Sequence, residues 1–484
     1  MDIDRAAFDR LQRKLVPLWT SMARLTPDEQ TIVVVPSLSL ELPPGLGPIL
    51  HLYEERYLFM LLLLRQPRAR VVLVTSQPID EQIIDYYLSL MPGVIPSHAR
   101  ERLVTIAAND PGEEPLSKKI LDRPDLLRAI AGHVPDTSRA HLVPYVTTEL
   151  EQELAMRLDI PMYGCDPALS RLGRKSGARA LFAETGVPHP RGTEDVRTLD
   201  DVVDALARLV AEAPALRHAI VKHNDGVSGL GNATVELEGA GTDRAQLAER
   251  VRRAHIPAGT WDDYMATLAR EGGIVEERLE GARITSPSVQ LRVTPLGDLE
   301  VLSTHDQLLG GDDGQIYEGC VFPAETAYAR AITEQALKVG ARLTKEGVLG
   351  RFALDFVVVD DEPFAIELNL RKGGTTHPYL TLQFLTDGVY DAVSGIFRTP
   401  AGGERFLIAS DHVSDPSYKG KTVADLFDVV VREGLHFDQS RQTGVVLHSM
   451  SGVTEHARLG LTAVAESRAR AAELFARARD ALRS

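Results

Sequence analysis

ALDFVVVDDEPFAIELNLR, residues 353–371, decides the fold. Apolar and polar residues alternate on both sides of an acidic DDEP, the period-two pattern of two strands joined by a turn, each with one buried face. A hairpin centred on Asp361 sets Asp355 opposite Glu367 and Phe356 opposite Ile366. One face then carries Phe352, Leu354, Phe356 and Val358 against Phe364, Ile366, Leu368 and Leu370. The other carries Asp355, Glu367, Asn369 and Arg371. Two carboxylates in direct register repel each other unless a cation lies between them. Hard oxygen donors of this kind suit Mg²⁺, which takes one or two protein carboxylates and completes its octahedron with water and nucleotide phosphates. Asn369 can add an amide oxygen, and Arg371 a fixed positive charge beside the phosphates. A merely solvated polar face is the plain alternative for any such hairpin.

Other segments supply what a nucleotide needs. HAIVKHNDGVSGLGNATVEL, residues 218–237, is a strand ending near Lys222, a turn holding Gly226, Ser228, Gly229 and Gly231, and a returning strand. Glycines let backbone N–H groups approach phosphate oxygens, and the lysine supplies a point charge. The spacing is neither that of a P-loop nor that of a dinucleotide fingerprint, and Asn224-Asp225-Gly226 alone also fits an ordinary hairpin turn. Lys175 lies in a helical stretch that stops at Gly186. GGIVEERLEG carries Glu276, Glu277 and Leu279 from a strand into a connector whose backbone can read a purine edge. SPSVQLRV puts Ser288, Gln290 and Arg292 on one strand face. His305 and Gln307 precede a Gly/Asp-rich loop, and Gly373, Gly374, Thr375 and His377 follow Arg371 directly, a backbone wall close to a substrate. The histidines show no metal-ligand spacing, so each reads first as a hydrogen-bonding residue.

A chain of 484 residues is too long for one core and divides into about two to four domains. Its net charge of -15 repels phosphate backbones and anionic bilayers, which argues against nucleic acid and membrane as partners. Two cysteines, Cys165 and Cys320, exclude a disulfide framework and fit a reducing, cytoplasmic setting. The first residues lack the apolar run of a signal peptide, and LFMLLLL at 58–64 is far short of the roughly 20 residues that span a bilayer. It reads instead as a buried helix.

Residues 1–165 alternate helices with the short apolar strands TIVVVP, RVVLVTS, RLVTIA and HLVPYV, an open α/β sheet. Residues 166–400 mix long helices with hairpins, an α+β pattern. Residues 401–484 form a smaller α/β segment. It ends in a helix with Ala471, Leu474, Phe475, Ala478 and Leu482 on one stripe.

Taken in order, Lys175, Lys222 with its glycine turn, VEERL at 275–279, Asp355, and Glu367 with Asn369 and Arg371 resemble the ATP-grasp superfamily. ELNLRKGGTTHP, STHDQLLGGDDGQIYEGCVFPA and TGVVLHSM resemble its pheganomycin-type peptide ligases more closely. The resemblance implies a pre-ATP-grasp domain, a two-lobed grasp fold and a small C-terminal domain. It gives Lys175 and Lys222 to the nucleotide phosphates, the 224–232 turn with Gly226, Ser228 and Gly229 to a cover over ATP, Glu276, Glu277 and Leu279 to the adenine strand, and Asp355, Glu367 and Asn369 to two Mg²⁺ ions. Arg371 or Arg292 would steady a tetrahedral oxyanion, and His305, Gln307, Gly373, Gly374, Thr375 and His377 would face substrate. The implied reaction joins a small-molecule carboxylate, a nonproteinogenic amino acid, through an acylphosphate, to the amine of an amino acid or peptide in natural-product assembly, with a homodimer as a candidate assembly. A nucleotide-binding module without ligase activity and a ligase with another acceptor are the alternatives.

Overall fold

The computed structural model describes residues 4–23, 29–40, 49–226, 229, 231–256, 259–311, 314 and 316–483. Four parallel strands begin it, in spatial order Leu103–Ala107, Ala69–Thr75, Gln30–Val35 and Ala140–Pro144. Their near-continuous Val/Ile/Leu runs reflect burial on both faces. Ile32, Val34, Val71 and Leu73 pack beneath the 54–65 segment, while Val33, Val35, Val72 and Val74 pack against Phe8, Ile120 and Leu154. The LFMLLLL run is therefore core, but its helix is largely 3₁₀: an α turn over Leu50–Tyr53 tightens into a 3₁₀ stretch over Glu54–Arg65. Such long 3₁₀ stretches are uncommon. No described helix is long and apolar enough to cross a membrane.

Two further sheets both contact the helix that begins at Lys175. The smaller is antiparallel, in order Gly192–Val196, Gly273–Glu277, His218–His223 and Asn232–Glu236, and Val203, Leu206, Val221 and Leu268 fill a core between it and its helices. The larger has nine strands. Glu362–Asn369 is its edge, followed by Gly350–Val359, Pro287–Val293, Leu299–Gly310 and Ile316–Phe322. Helix Thr326–Lys345 covers the apolar face at Leu291, Phe352 and Leu354. The sheet runs on past residue 400, because Gly319–Phe322 pairs with Leu407–Ser410 before the strands Arg458–Ala465 and Gly444–His448 complete it. The last helix, Arg468–Arg483, buries Ala471, Leu474, Ala478 and Leu482 against these strands.

The deciding hairpin has a tighter turn than the sequence suggests. Asp360 and Asp361 both adopt positive φ, 48° and 73°, and form a two-residue turn between the paired Val359 and Glu362. A regular ladder from that turn would put Asp355 opposite Ile366. Phe356 instead pairs with Ala365, not with Ile366 as expected, and Ile366 bulges out. The bulge shifts the register by one and brings Glu367 opposite Asp355. Ala365 thus takes the buried place expected for Ile366. The expected facing of the two acids holds, though it depends on a bulge.

Candidate active site

Lys175 is the first residue of helix Lys175–Thr185, which ends in a left-handed Gly186. A helix N-terminus disfavours a cation, and this lysine is also buried. Its ammonium is held by Glu367 Oε1 at 2.9 Å and by the carbonyl of Gly226 at 3.1 Å. The same helix start is fixed to the smaller sheet, because Asn224 Oδ1 accepts from Ser176 N at 2.9 Å and Ser176 Oγ at 2.8 Å. One helix turn therefore ties the glycine turn to the acidic hairpin. A Cβ on Gly226 would lie 3.2 Å from the Cα of Gly231, so this turn is closed by two glycines in contact. Gly229 has φ 77°, a left-handed conformation that suits glycine; Ser228 lies outside the described residues.

Lys222 sits near the end of its strand, buried, with Nζ 2.5 Å from Glu276 Oε1. Arg179 holds the other oxygen of Glu276 at 3.0 Å and reaches Glu194 at 2.8 Å. The Glu276 side chain is therefore occupied with positioning Lys222. Glu277 is bound by Arg191 through Nε at 2.9 Å, and Leu279 lies half-buried just beyond the strand.

Asp355 and Glu367 face each other on the polar side of the larger sheet, with Asn369 Nδ2 donating to Asp355 Oδ2 at 3.1 Å. Burial and the charge of Glu367 push the Asp355 carboxyl up to about 7. Burial also raises Glu367, but Lys175, then Arg371 and Lys222, outweigh it and hold this carboxyl below its ordinary range. The two facing acids thus differ, with the anionic form favoured at Glu367 and disfavoured at Asp355. Two carboxylates and an amide oxygen form an all-oxygen donor set that fits Mg²⁺.

Farther along this face, Arg292 is bound to Glu300 at 2.5 Å and lies 5.2 Å over the ring of Trp19. Arg371 meets only the carbonyl of Lys372, at 3.3 Å, among the described residues. His305 is fully buried between Phe322 and Tyr379, with Nε2 2.9 Å from Ser303 Oγ, and burial drives its pKa down to about 3. Gln307 lies two residues farther along the strand, paired with Cys320. Gly373 starts the turn into helix Thr376–Thr386, donating to Thr376 Oγ1 at 3.0 Å. A Cβ on Gly374 would lie 2.5 Å from the Tyr317 ring, which explains a glycine there. Thr375 Oγ1 is buried without a hydrogen-bond partner among the described residues.

His377 joins a cluster that sequence spacing does not reveal. Its Nε2 lies 2.9 Å from Asp411 Oδ1, His448 Nδ1 lies 3.2 Å from the same oxygen, and Arg56 reaches Asp411 Oδ2 at 2.6 Å. Burial would raise Asp411, but Arg56 and then His377 hold it well below the carboxylate range. The network bolts the first segment of the chain to the last strands. Arg56→Met leaves the buried Asp411 with only His377 and His448 beside it and is expected to lower unfolding free energy by about 3–5 kcal/mol; urea denaturation measures it, and an unchanged midpoint would contradict this role.

Comparison with known proteins agrees with this architecture. A family model described as IQCH-like ATP-grasp matches residues 167–255 and 244–370, a pre ATP-grasp domain model matches 60–160, and a PGM1 C-terminal domain model matches 425–478. The L-propargylglycine–L-glutamate ligase of Streptantibioticus cattleyicolor is 31% identical over 450 residues, covering 90% of each chain. Among solved structures, a biotin carboxylase from Campylobacter jejuni aligns with TM-score 0.56 at 14% identity, over 95% of this chain and 92% of that one. An N5-carboxyaminoimidazole ribonucleotide synthetase solved with ADP aligns with TM-score 0.53 at 13% identity, over 93% and 96%. The chain belongs to the ATP-grasp superfamily of ATP-dependent C–N ligases, among its pheganomycin-type members.

Proposed function

We propose that this ligase, a cytoplasmic enzyme, joins the carboxyl group of a nonproteinogenic amino acid to the amine of an amino acid or a peptide, through an acylphosphate, in the assembly of a natural product. The observation that carries the proposal is the facing of Asp355 and Glu367 beside Lys175, an oxygen site bordered by a cation. The relative whose name joins propargylglycine to glutamate supports amino-acid substrates.

Asp355, Glu367 and Asn369 would hold Mg²⁺, in one or two ions, whose chemistry is to neutralise charge on the transferring phosphoryl group. Lys175 and Lys222 would exchange their carboxylate partners for phosphate oxygens as nucleotide enters. The strand bearing Glu276 and Glu277, with Leu279 beyond it, would line the adenine, and the turn at Gly226 and Gly229 would exclude water from the acylphosphate. Of the two candidate arginines, Arg371 suits the tetrahedral oxyanion better, because Glu300 already neutralises Arg292.

The test is ADP release with Mg²⁺, ATP and a panel of amino acids supplied singly and in pairs, followed by mass spectrometry of the product. Release that requires both a carboxylate and an amine, with an amide product, is the expected result. Absence of acceptor-dependent release across the panel would favour a nucleotide-binding module. ATP is likewise expected to raise the melting temperature only with Mg²⁺ present. Equal stabilisation by ATP in EDTA would count against the metal assignment.

A further inference from the structure

The sheet face of Asp355 continues into a region rich in cations and poor in acids. Side chains alternate along Gly350–Val359, so Arg351 lies on the same face as Asp355, about 13 Å away along the strand. Across the ladder Arg351 pairs with Arg292. On the other side, Asn369 pairs with Ala353, so Arg371 leaves the edge strand beside Arg351. Lys372 then turns toward the first sheet, where its Nζ donates to the carbonyl of Pro144 at 2.6 Å, at the carboxyl end of strand Ala140–Pro144. Carboxyl ends of parallel strands are where open α/β sheets receive ligands.

Among the described residues, Arg351 and Lys372 have no carboxylate partner, while Glu300 compensates Arg292. Burial and then Arg351 bring the Lys372 ammonium down to about 7, and burial lowers Arg351 too. His141, buried beside this charge, has Nδ1 without a hydrogen-bond partner. Cations withdrawn from water without counter-ions destabilise a protein until an anion joins them. A guanidinium fork with an ammonium suits a planar carboxylate.

We propose that Arg351 and Lys372 form a subsite for the spectator carboxylate of an amino-acid substrate, the one that does not react, and so aim its reacting group at the nucleotide. The subsite rests on the ligase reading above, which supplies the substrate class. It also predicts that substrates need a free carboxylate at a fixed distance from the reacting group.

The experiment compares free L-amino acids with their carboxamides, on protein saturated with ADP and Mg²⁺, by thermal shift, and then measures turnover with the acids that respond. Wild-type protein is expected to be stabilised by the acids and not by the carboxamides. Arg351→Gln is expected to lose this discrimination and to raise KM for the acid about 10- to 100-fold, with KM for MgATP within about twofold. Without ligand it should melt no lower than wild type, since an uncompensated cation has gone. Lys372→Met should likewise lose the discrimination and raise KM for the acid. Equal stabilisation of wild type by acid and carboxamide, or retained discrimination in both variants, would overturn the subsite, and the wild-type comparison decides it even if a variant does not fold. Stabilisation by acids without acceptor-dependent ADP release would uphold the subsite and remove the ligase reading. Turnover of acid and carboxamide alike would do the reverse.

Discussion

Glu367→Gln is expected to reduce turnover about 10³-fold while leaving the protein folded. Glu367 performs two tasks: it is the acid held as an anion at the proposed metal site, and it is the counter-charge of Lys175 at 2.9 Å. The amide keeps the shape and still accepts a hydrogen bond, but it removes the charge that both tasks need. Stability changes less than activity. Once Glu367 is neutral, Asp355 loses the like charge that opposes its ionisation and can serve as the remaining counter-charge near Lys175. A loss of about 1–3 kcal/mol is expected, smaller than for a buried pair broken with no substitute. Steady-state ADP release and urea unfolding measure the two effects. Turnover within tenfold of wild type would contradict the assignment.

Asp355→Asn should move activity and stability in opposite directions. Turnover falls at least about 10²-fold, because an oxygen ligand charge is gone from where phosphoryl charge gathers. The apo protein, in contrast, becomes more stable. The folded-state pKa of Asp355 lies near 7, above the ordinary carboxylate value, so between roughly pH 4 and 7 the folded state binds more protons than the unfolded chain. Wild-type stability from this group therefore falls as pH rises through that window and is lowest above it. The asparagine avoids this loss, so its advantage is absent near pH 4 and complete by about pH 8. Allowing for solvent around this half-buried group, the gain at pH 8 is about 1–3 kcal/mol. Melting curves of both proteins at pH 5 and pH 8 check the sign. A variant less stable than wild type at pH 8 would show that the two acids do not repel.

Local periodicity made the outline legible. The four parallel strands, the glycine turn after Lys222, the helix beginning at Lys175 and the alternation around Asp355 all arise from patterns within about 20 residues. What was hidden depends on contacts between distant segments. The bulge at Ile366 leaves no mark in the alternation, yet it determines which residue faces Asp355. Lys372 looks like one more surface lysine until Pro144, over 200 residues earlier, is folded beside it. Arg56, His377, Asp411 and His448 come from four elements and have no common spacing. Arg292 shares the expected strand face, but only the structure shows Glu300 and Trp19 engaging it. Glu276, singled out for the adenine strand, turns out to position Lys222 by its side chain.

The most direct measurement is anomalous diffraction from crystals grown with ADP and Mn²⁺, in which the manganese stands in for Mg²⁺. The account predicts an anomalous peak between Asp355 and Glu367, at about 2.0–2.3 Å from a carboxylate oxygen, with a phosphate oxygen completing its shell. Bound ADP with no peak at these acids, or a peak held by other residues, would contradict it.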